Sequence, residues 1–161
     1  MTIQVGDQVP EGMLMQMTAD GPAPITTAEL FGGKKVVLFA VPGAFTPTCS
    51  AKHVPSYIAN AEALAAKGVD TVACLSVNDV FVMGAWGKDQ GVGDKVVMLA
   101  DGVGEYTSKL GLELDLSARG LGKRATRFAM VVEDGKVTHL AVEPNPGELS
   151  VSGAEAVLDN L

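Results

Sequence analysis

The order of elements predicts an α/β protein whose central mixed β-sheet is flanked by helices on both faces. Three observations predict it. Residues 35–41 and 70–77 are continuous apolar runs rich in β-branched side chains, the pattern of strands buried on both faces. Between them Val54, Tyr57, Ile58, Ala61, Leu64 and Ala65 recur at three- and four-residue spacing, one helical face, with Gly68 as the stop. Later, Glu133-Asp-Gly-Lys136 separates residues 128–132 from 137–142 and reads as a hairpin through its Asp-Gly turn.

The remaining elements follow in chain order. Thr26 and Glu29 make a capping box for a short helix ending near Gly32-Gly33. After the second strand a helix opens at Asn78 or Asp79 and carries Phe81, Val82 and Trp86. Residues 95–100 form a third strand and 104–110 a short helix. Ser152 and Glu155 box the start of a last helix over 154–161. This β-α-β-α-β order, closed by a hairpin and a helix, is shared by thioredoxin-like architectures and several flavodoxin-like folds. No repeat, low-complexity tract or linker divides the chain, so residues 1–161 read as one domain.

Composition narrows the function classes. The chain is 47% hydrophobic and 19% charged, a globular balance. Its net charge of −7 and lack of any basic run argue against binding nucleic acid by phosphate neutralisation. The most apolar stretch, 36–41, is far short of the roughly 18 residues of a membrane helix. The opening MTIQVGDQVP has neither a basic start with an apolar core nor an Arg/Ser-rich amphipathic pattern, which predicts a cytoplasmic location. Two cysteines, Cys49 and Cys74, are too few for a disulfide scaffold or a four-thiolate zinc site. The environment of each thiol therefore becomes the question.

Chemistry concentrates in Pro42-Gly-Ala-Phe-Thr-Pro-Thr-Cys-Ser50, the loop from the first long strand into its helix. In open α/β sheets ligands gather outside the carboxyl ends of strands, where this loop lies. Thr46 is a favoured N-cap and Pro47 suits the first helical position, which puts Cys49 in the first turn among amides lacking helical partners. That location stabilises negative charge. A free thiol with pKa about 8.5 is only about 3% ionised at neutral pH, whereas cysteines at helix N-termini or beside cations fall to roughly 3.5–7.5. Two readings follow: a thiolate nucleophile on a rigid element, or a small buried filler at a helix start.

The string Pro42-x-x-x-Thr46-x-x-Cys49 resembles the active-site signature of peroxiredoxins. The longer block from Val41 to Ser50, followed by Lys52-His-Val-Pro55, is similar to the type II (peroxiredoxin 5) subgroup. Similarity continues in Gly68-Val-Asp70, Ser76-Val-Asn-Asp79 with Trp86, Leu99-Ala-Asp101, Gly111-Leu-Glu-Leu114 and Arg127-Phe-Ala-Met130, so it spans nearly the whole chain. The resemblance implies a thioredoxin fold and thiol-dependent reduction of hydrogen peroxide and alkyl hydroperoxides, without metal or prosthetic group.

It also implies roles. The Cys49 thiolate attacks one peroxide oxygen and becomes a sulfenic acid. The Thr46 hydroxyl, the Arg127 guanidinium and the N–H groups of Cys49 and Gly43 face the charge that develops, and Pro42 limits water access. Arg127 fits on its own account as well: it opens an apolar strand, where a cation is costly unless it faces an anion. A surface salt bridge is the other reading of that residue.

Supporting candidates carry weaker signals. His53 lies one helical turn after Cys49; a Cys/His hydrolase wants such a base, but no third orienting group is apparent, and a histidine packed under the site is the preferred reading. Arg124 sits three residues before Arg127 in a basic loop. Phe81 and Trp86 are ordinary core aromatics by pattern, although the resemblance puts both near the pocket mouth. Phe45 reads as the loop's own anchor, or as a dimer contact.

Cys74 lies in a central apolar strand, about 10 Å below its upper end at about 3.3 Å per residue, beyond the reach of a disulfide to Cys49. Animal members of the subgroup carry a resolving cysteine near the C-terminus, where Glu148-Leu-Ser-Val-Ser152 places Val151. This departure implies recycling by an external thiol, glutathione with glutaredoxin or thioredoxin. Type II members usually dimerise through loops around the pocket, so a homodimer is expected. Ser56 also departs from the glycine usual after His-Val-Pro. Two other classes compete for a single thiol: a disulfide reductase, which lacks its Cys-x-x-Cys pair here, and a redox sensor or holdase that oxidises once and stops.

Overall fold

The computed structural model describes residues 1–161. The chain opens with a hairpin, β1 (Met13–Thr18) and β2 (Gly21–Thr26), and a short helix α1 (Thr27–Phe31). Strand β3 (Lys35–Ala40) leads through a loop into a π-helical turn (Cys49–His53), then α2 (Val54–Ala59) and α3 (Ala61–Ala66). There follow β4 (Thr71–Ser76), α4 (Val80–Gln90), β5 (Val97–Ala100), α5 (Glu105–Leu110), β6 (Glu113–Leu116), β7 (Gly122–Ala125), β8 (Phe128–Glu133), β9 (Lys136–Val142) and α6 (Ala154–Leu158).

Seven strands form one mixed sheet in the order β2-β1-β5-β4-β3-β8-β9, and β6 pairs with β7 separately. Strands β3, β4 and β5 run parallel, while β8 lies antiparallel to β3. Side chains of a strand alternate between faces, and β3 needs apolar residues on both. Val37, Phe39 and Val41 join Cys74, Tyr57, Leu64, Trp86 and Val157 in one layer. Val36, Leu38 and Ala40 join Leu30, Phe31, Tyr106 and Leu110 in the other. This double burial is why the run carries no polar alternation, and it delivers the α/β class read from the sequence.

Several local signals act as expected. Thr26 Oγ1 accepts from Glu29 N at 3.2 Å, and Asp79 Oδ1 accepts from Val82 N at 2.8 Å. Asp134 and Gly135 have φ of 46° and 81°, the two left-handed residues a tight hairpin turn needs. Others are corrected. The helix expected to run unbroken to Gly68 breaks at Asn60, whose Nδ2 donates to Ser56 O at 2.8 Å and competes for a helical carbonyl. Ser152 does not box the last helix: Gly153 stands at its N-cap, and Ser152 Oγ donates to Glu143 at 2.7 Å instead. The β1–β2 hairpin and the β6–β7 ladder have no counterpart in the sequence reading.

Candidate active site

The loop leaving β3 is held at both sides before it reaches the cysteine. Val41 N donates to Leu75 O at 3.1 Å, and Ala44 N donates to Asn78 Oδ1 at 2.9 Å. Arg124 reaches over from β7, with Nη1 3.4 Å from Pro42 O and Nε 2.8 Å from Leu121 O. A Cβ on Gly43 would stand 3.0 Å from Arg124 Nη1 and 3.1 Å from Thr46 Cγ2, so the smallest side chain lets the loop close there. Phe45 turns the loop with φ of 62°, in the left-handed region that few side chains adopt.

Helical bonding begins with Ser50 N to Thr46 O at 3.0 Å. The N–H groups of Gly43 and Cys49 donate to no group of the chain, as expected at a helix start. Thr46 was expected to cap these amides with its hydroxyl. Instead Oγ1 lies 2.9 Å from Cys49 Sγ and 2.6 Å from Gly43 O. A hydroxyl has one proton, so it can donate to sulfur only when it releases the carbonyl.

The π-helical turn Cys49–His53 closes with Val54 N donating to Cys49 O. Cys49 and His53 are both fully buried on it. Arg127, one residue before β8, is 2% exposed. Its Nη2 lies 3.0 Å from Cys49 Sγ, its Nη1 2.8 Å from His53 Nδ1, and its Nε donates to Pro146 O at 2.8 Å. Neither of the chain's ion pairs, Lys35–Glu133 and Lys109–Glu105, involves Arg127. A buried cation without a carboxylate is costly. The acidic group placed nearest to it is the Cys49 thiol, whose sulfur stands 3.0 Å from Nη2.

His53 completes this arrangement in its neutral form. Nε2 faces Ser152 O at 3.0 Å and must donate; Nδ1 therefore carries the lone pair that Arg127 meets. Burial first, then the charge of Arg127, push its pKa down to about 3. That assigns His53 to orienting Arg127 rather than to general-base work on the cysteine. Beneath it, Phe39 stacks on Tyr57 at 4.0 Å and packs on the His53 ring at 4.7 Å.

The other expected residues divide. Arg124 is brought to the loop, on Pro42 O. Trp86 is fully buried rather than at a pocket mouth; its Nε1 donates to Ser50 Oγ at 3.0 Å and ties α4 to the turn. Phe81 is 66% exposed and borders a cavity of about 690 Å³ with Met17, Gly84 and Lys88, a cavity that Cys49 does not line. Phe45 is half exposed, its ring 6.4 Å from that of Trp86, so it covers the loop rather than anchoring it in the core. Cys74 pairs in register with Phe39, shares the Cys49 layer and is a free thiol. Burial first, then the neighbouring Cys49 thiol, push the Cys74 thiol well above its usual value. The sequence reading missed Asn78 as the loop's tether, and it missed Glu143, Pro146 and Ser152, whose groups lie behind Arg127 and His53. No three His, Cys, Asp or Glu side chains are grouped to hold a metal ion.

A reactive thiol at a helix start, faced by a buried guanidinium on a thioredoxin-like sheet, defines a class of thiol peroxidases. The comparisons agree. The family model described as Redoxin matches residues 4–158. Peroxiredoxin-2B of Arabidopsis thaliana is 52% identical over 160 residues, covering 99% of this chain and 98% of that protein. The structure of reduced Prx3 in complex with hydrogen peroxide from Vibrio vulnificus is 50% identical, with a TM-score of 0.94 over 99% of each chain. Peroxiredoxin 5 from Alvinella pompejana is 37% identical, with a TM-score of 0.84 over 97% of this chain and 96% of that one. The chain belongs to the peroxiredoxin family, on the type II branch with its plant relatives, and it is a thiol peroxidase.

Proposed function

We propose that this peroxidase reduces hydrogen peroxide and alkyl hydroperoxides through Cys49 and is recycled by glutathione with glutaredoxin, or by thioredoxin. The observation that carries the reading is the convergence of Arg127 Nη2 and Thr46 Oγ1 on Cys49 Sγ, at 3.0 and 2.9 Å. The thiolate attacks the nearer peroxide oxygen; an S–O bond forms, the O–O bond breaks, and an alkoxide or hydroxide leaves and takes up a proton. Cys49 is left as sulfenic acid, oxidised by two electrons. Donors are most useful where charge develops; Arg127 and Thr46 stand at the sulfur, and this reading assigns the unpartnered N–H groups of Gly43 and Cys49 as the further donors. Pro42 shields the thiolate from water.

An external thiol then attacks the sulfenic sulfur. Water leaves, a mixed disulfide forms, and a second thiol releases Cys49 and carries away the disulfide. The raised Cys74 thiol supports an external reductant over an internal one, since the thiolate is the attacking species. The expected homodimer and cytoplasmic setting belong to the same proposal; exposed Phe45 and Phe81 are among the apolar groups available for association. A peroxide-turnover assay with each donor in turn tests it. Sustained consumption with one of these thiols supports the reading, and a single stoichiometric oxidation with all of them overturns it.

A further inference from the structure

Residues 145–153, between β9 and α6, form no regular ladder, yet three of their carbonyls face the site. Pro146 O receives Arg127 Nε at 2.8 Å, Gly147 O receives Thr48 Oγ1 at 2.8 Å, and Ser152 O receives both Tyr57 OH at 2.7 Å and His53 Nε2 at 3.0 Å. What shapes the segment is one buried carboxylate at the end of β9. Glu143 is 3% exposed. Its Oε1 receives Ser150 Oγ at 2.6 Å, and its Oε2 receives Val151 N and Ser152 N at 2.8 Å and Ser152 Oγ at 2.7 Å. Ser150 N lies 3.0 Å from both oxygens. Glu143 N itself donates to Arg127 O at 2.9 Å, so the clasp starts from the backbone of the arginine it serves.

A carboxylate that collects every polar hydrogen of one short stretch is a curled clasp rather than a surface charge. The clasp turns Ser152 O toward His53 and sets the path on which Pro146 O meets Arg127. These are the supports of two of the three guanidinium contacts; the third is Cys49 Sγ. We propose that Glu143 is a positioning residue of the peroxidase site, holding the 145–152 segment so that Pro146 O and His53 together aim Arg127 Nη2 at the Cys49 sulfur. The inference rests on reading Arg127 as a partner of the reacting Cys49. Burial raises the Glu143 carboxyl, but the donors of Ser150, Ser152 and Val151 outweigh it and hold the pKa down at about 2, so the clasp is charged in the working range.

The test is a double-mutant cycle in single turnover. Reduced full-length protein is mixed with hydrogen peroxide and its first oxidation is followed through the single Trp86, with iodoacetamide alkylation of Cys49 measured alongside. Glu143→Gln keeps the side-chain volume but presents an amide NH₂ to N–H groups, so the clasp opens. The expected result is a loss of about 10-fold in oxidation rate, as for other small misplacements of catalytic groups, and slower alkylation, with the circular-dichroism spectrum unchanged. In an Arg127→Ala background the same substitution should change neither rate, because the arginine through which it acts is gone. A folded Glu143→Gln protein with wild-type rates, or an equal loss in both backgrounds, overturns the proposal. If Arg127→Ala alone oxidises like wild type, the functional reading falls and not only this inference. Should Glu143→Gln fail to fold, the cycle is run on Ser152→Ala, which removes one hydroxyl donor. A loss confined to the Arg127-containing protein supports the proposal, and no loss overturns it.

Discussion

Arg127 Nη1 meets His53 Nδ1 at 2.8 Å with both side chains buried, and the contact exists only while the histidine is neutral. A protonated imidazole would turn an N–H toward the guanidinium and put two cations together. The pKa of about 3 caused by burial and by Arg127 expresses that geometry.

Stability should therefore fall on acidification. In the unfolded chain His53 binds its proton near about 6.5; in the native chain it resists to about 3. Between these values the unfolded state holds more protons, so stability declines as pH falls and is independent of this group above the window. Glu143 adds a second decline, from the usual carboxylate range down to about 2, because its native carboxyl is depressed. Denaturant melts of the wild type across that range should show a loss of a few kcal/mol. His53→Asn should flatten the upper part. A melt midpoint constant from neutral pH to about pH 4 would refute the neutral buried histidine.

The nucleophile prediction separates the two thiols. Cys49→Ser should abolish peroxide consumption with the fold intact, since a hydroxyl is not ionised near neutral pH. Cys74→Ser should keep turnover but lose about 1–3 kcal/mol in a denaturant melt, because it places a hydroxyl without a partner in a fully buried strand. A folded Cys74→Ser protein that no longer turns over peroxide would end the one-cysteine account.

What the sequence exposes and what it conceals divide along physical lines. Pro42, Gly43, Thr46 and Cys49 occupy one loop, so a local reading finds them. Arg127 stands out because a charge at the head of an apolar strand needs a partner. Glu143, Pro146 and Ser152 are silent, since three of the contacts they make use backbone carbonyls and the clasp joins residues nine positions apart. The same tertiary demand took Ser152 away from the cap its local pattern suggested. Strand β2 escaped notice because Pro22 and Pro24 speak against a strand, and they are tolerated there because β2 is the edge of the sheet. Phe81 and Trp86, both read as core by pattern, divide: Trp86 is buried against Ser50 of the turn, while Phe81 is exposed.

Activation should show in rates at saturating alkaline pH, where Cys49 is ionised in every variant. Arg127→Ala should still lose about 100-fold or more in the first oxidation, the scale seen on removing a donor from developing negative charge. Thr46→Val should lose less, about 10-fold, as one neutral hydroxyl contact to sulfur disappears. An Arg127→Ala rate equal to wild type under these conditions would leave the arginine a purely ground-state charge.

The fate of the sulfenic acid distinguishes internal from external resolution. Cys49 Sγ is fully buried, and a reducing thiol must meet it. Gly147 O on Thr48 and Trp86 on Ser50 hold the turn from two sides, and these are single hydrogen bonds that a transient opening can break. Val151, at the position of the resolving cysteine in animal members, carries no thiol, and Cys74 is held in register against Phe39 within the sheet. Peroxide-treated protein analysed by intact mass without reductant should carry one oxygen or more on Cys49, and with glutathione present a mixed disulfide at that residue. Trp86 fluorescence should recover only when thiol is added. Loss of two hydrogens per chain, mapped to a Cys49–Cys74 bond, would mean that β4 opens during the cycle and that Cys74 resolves it.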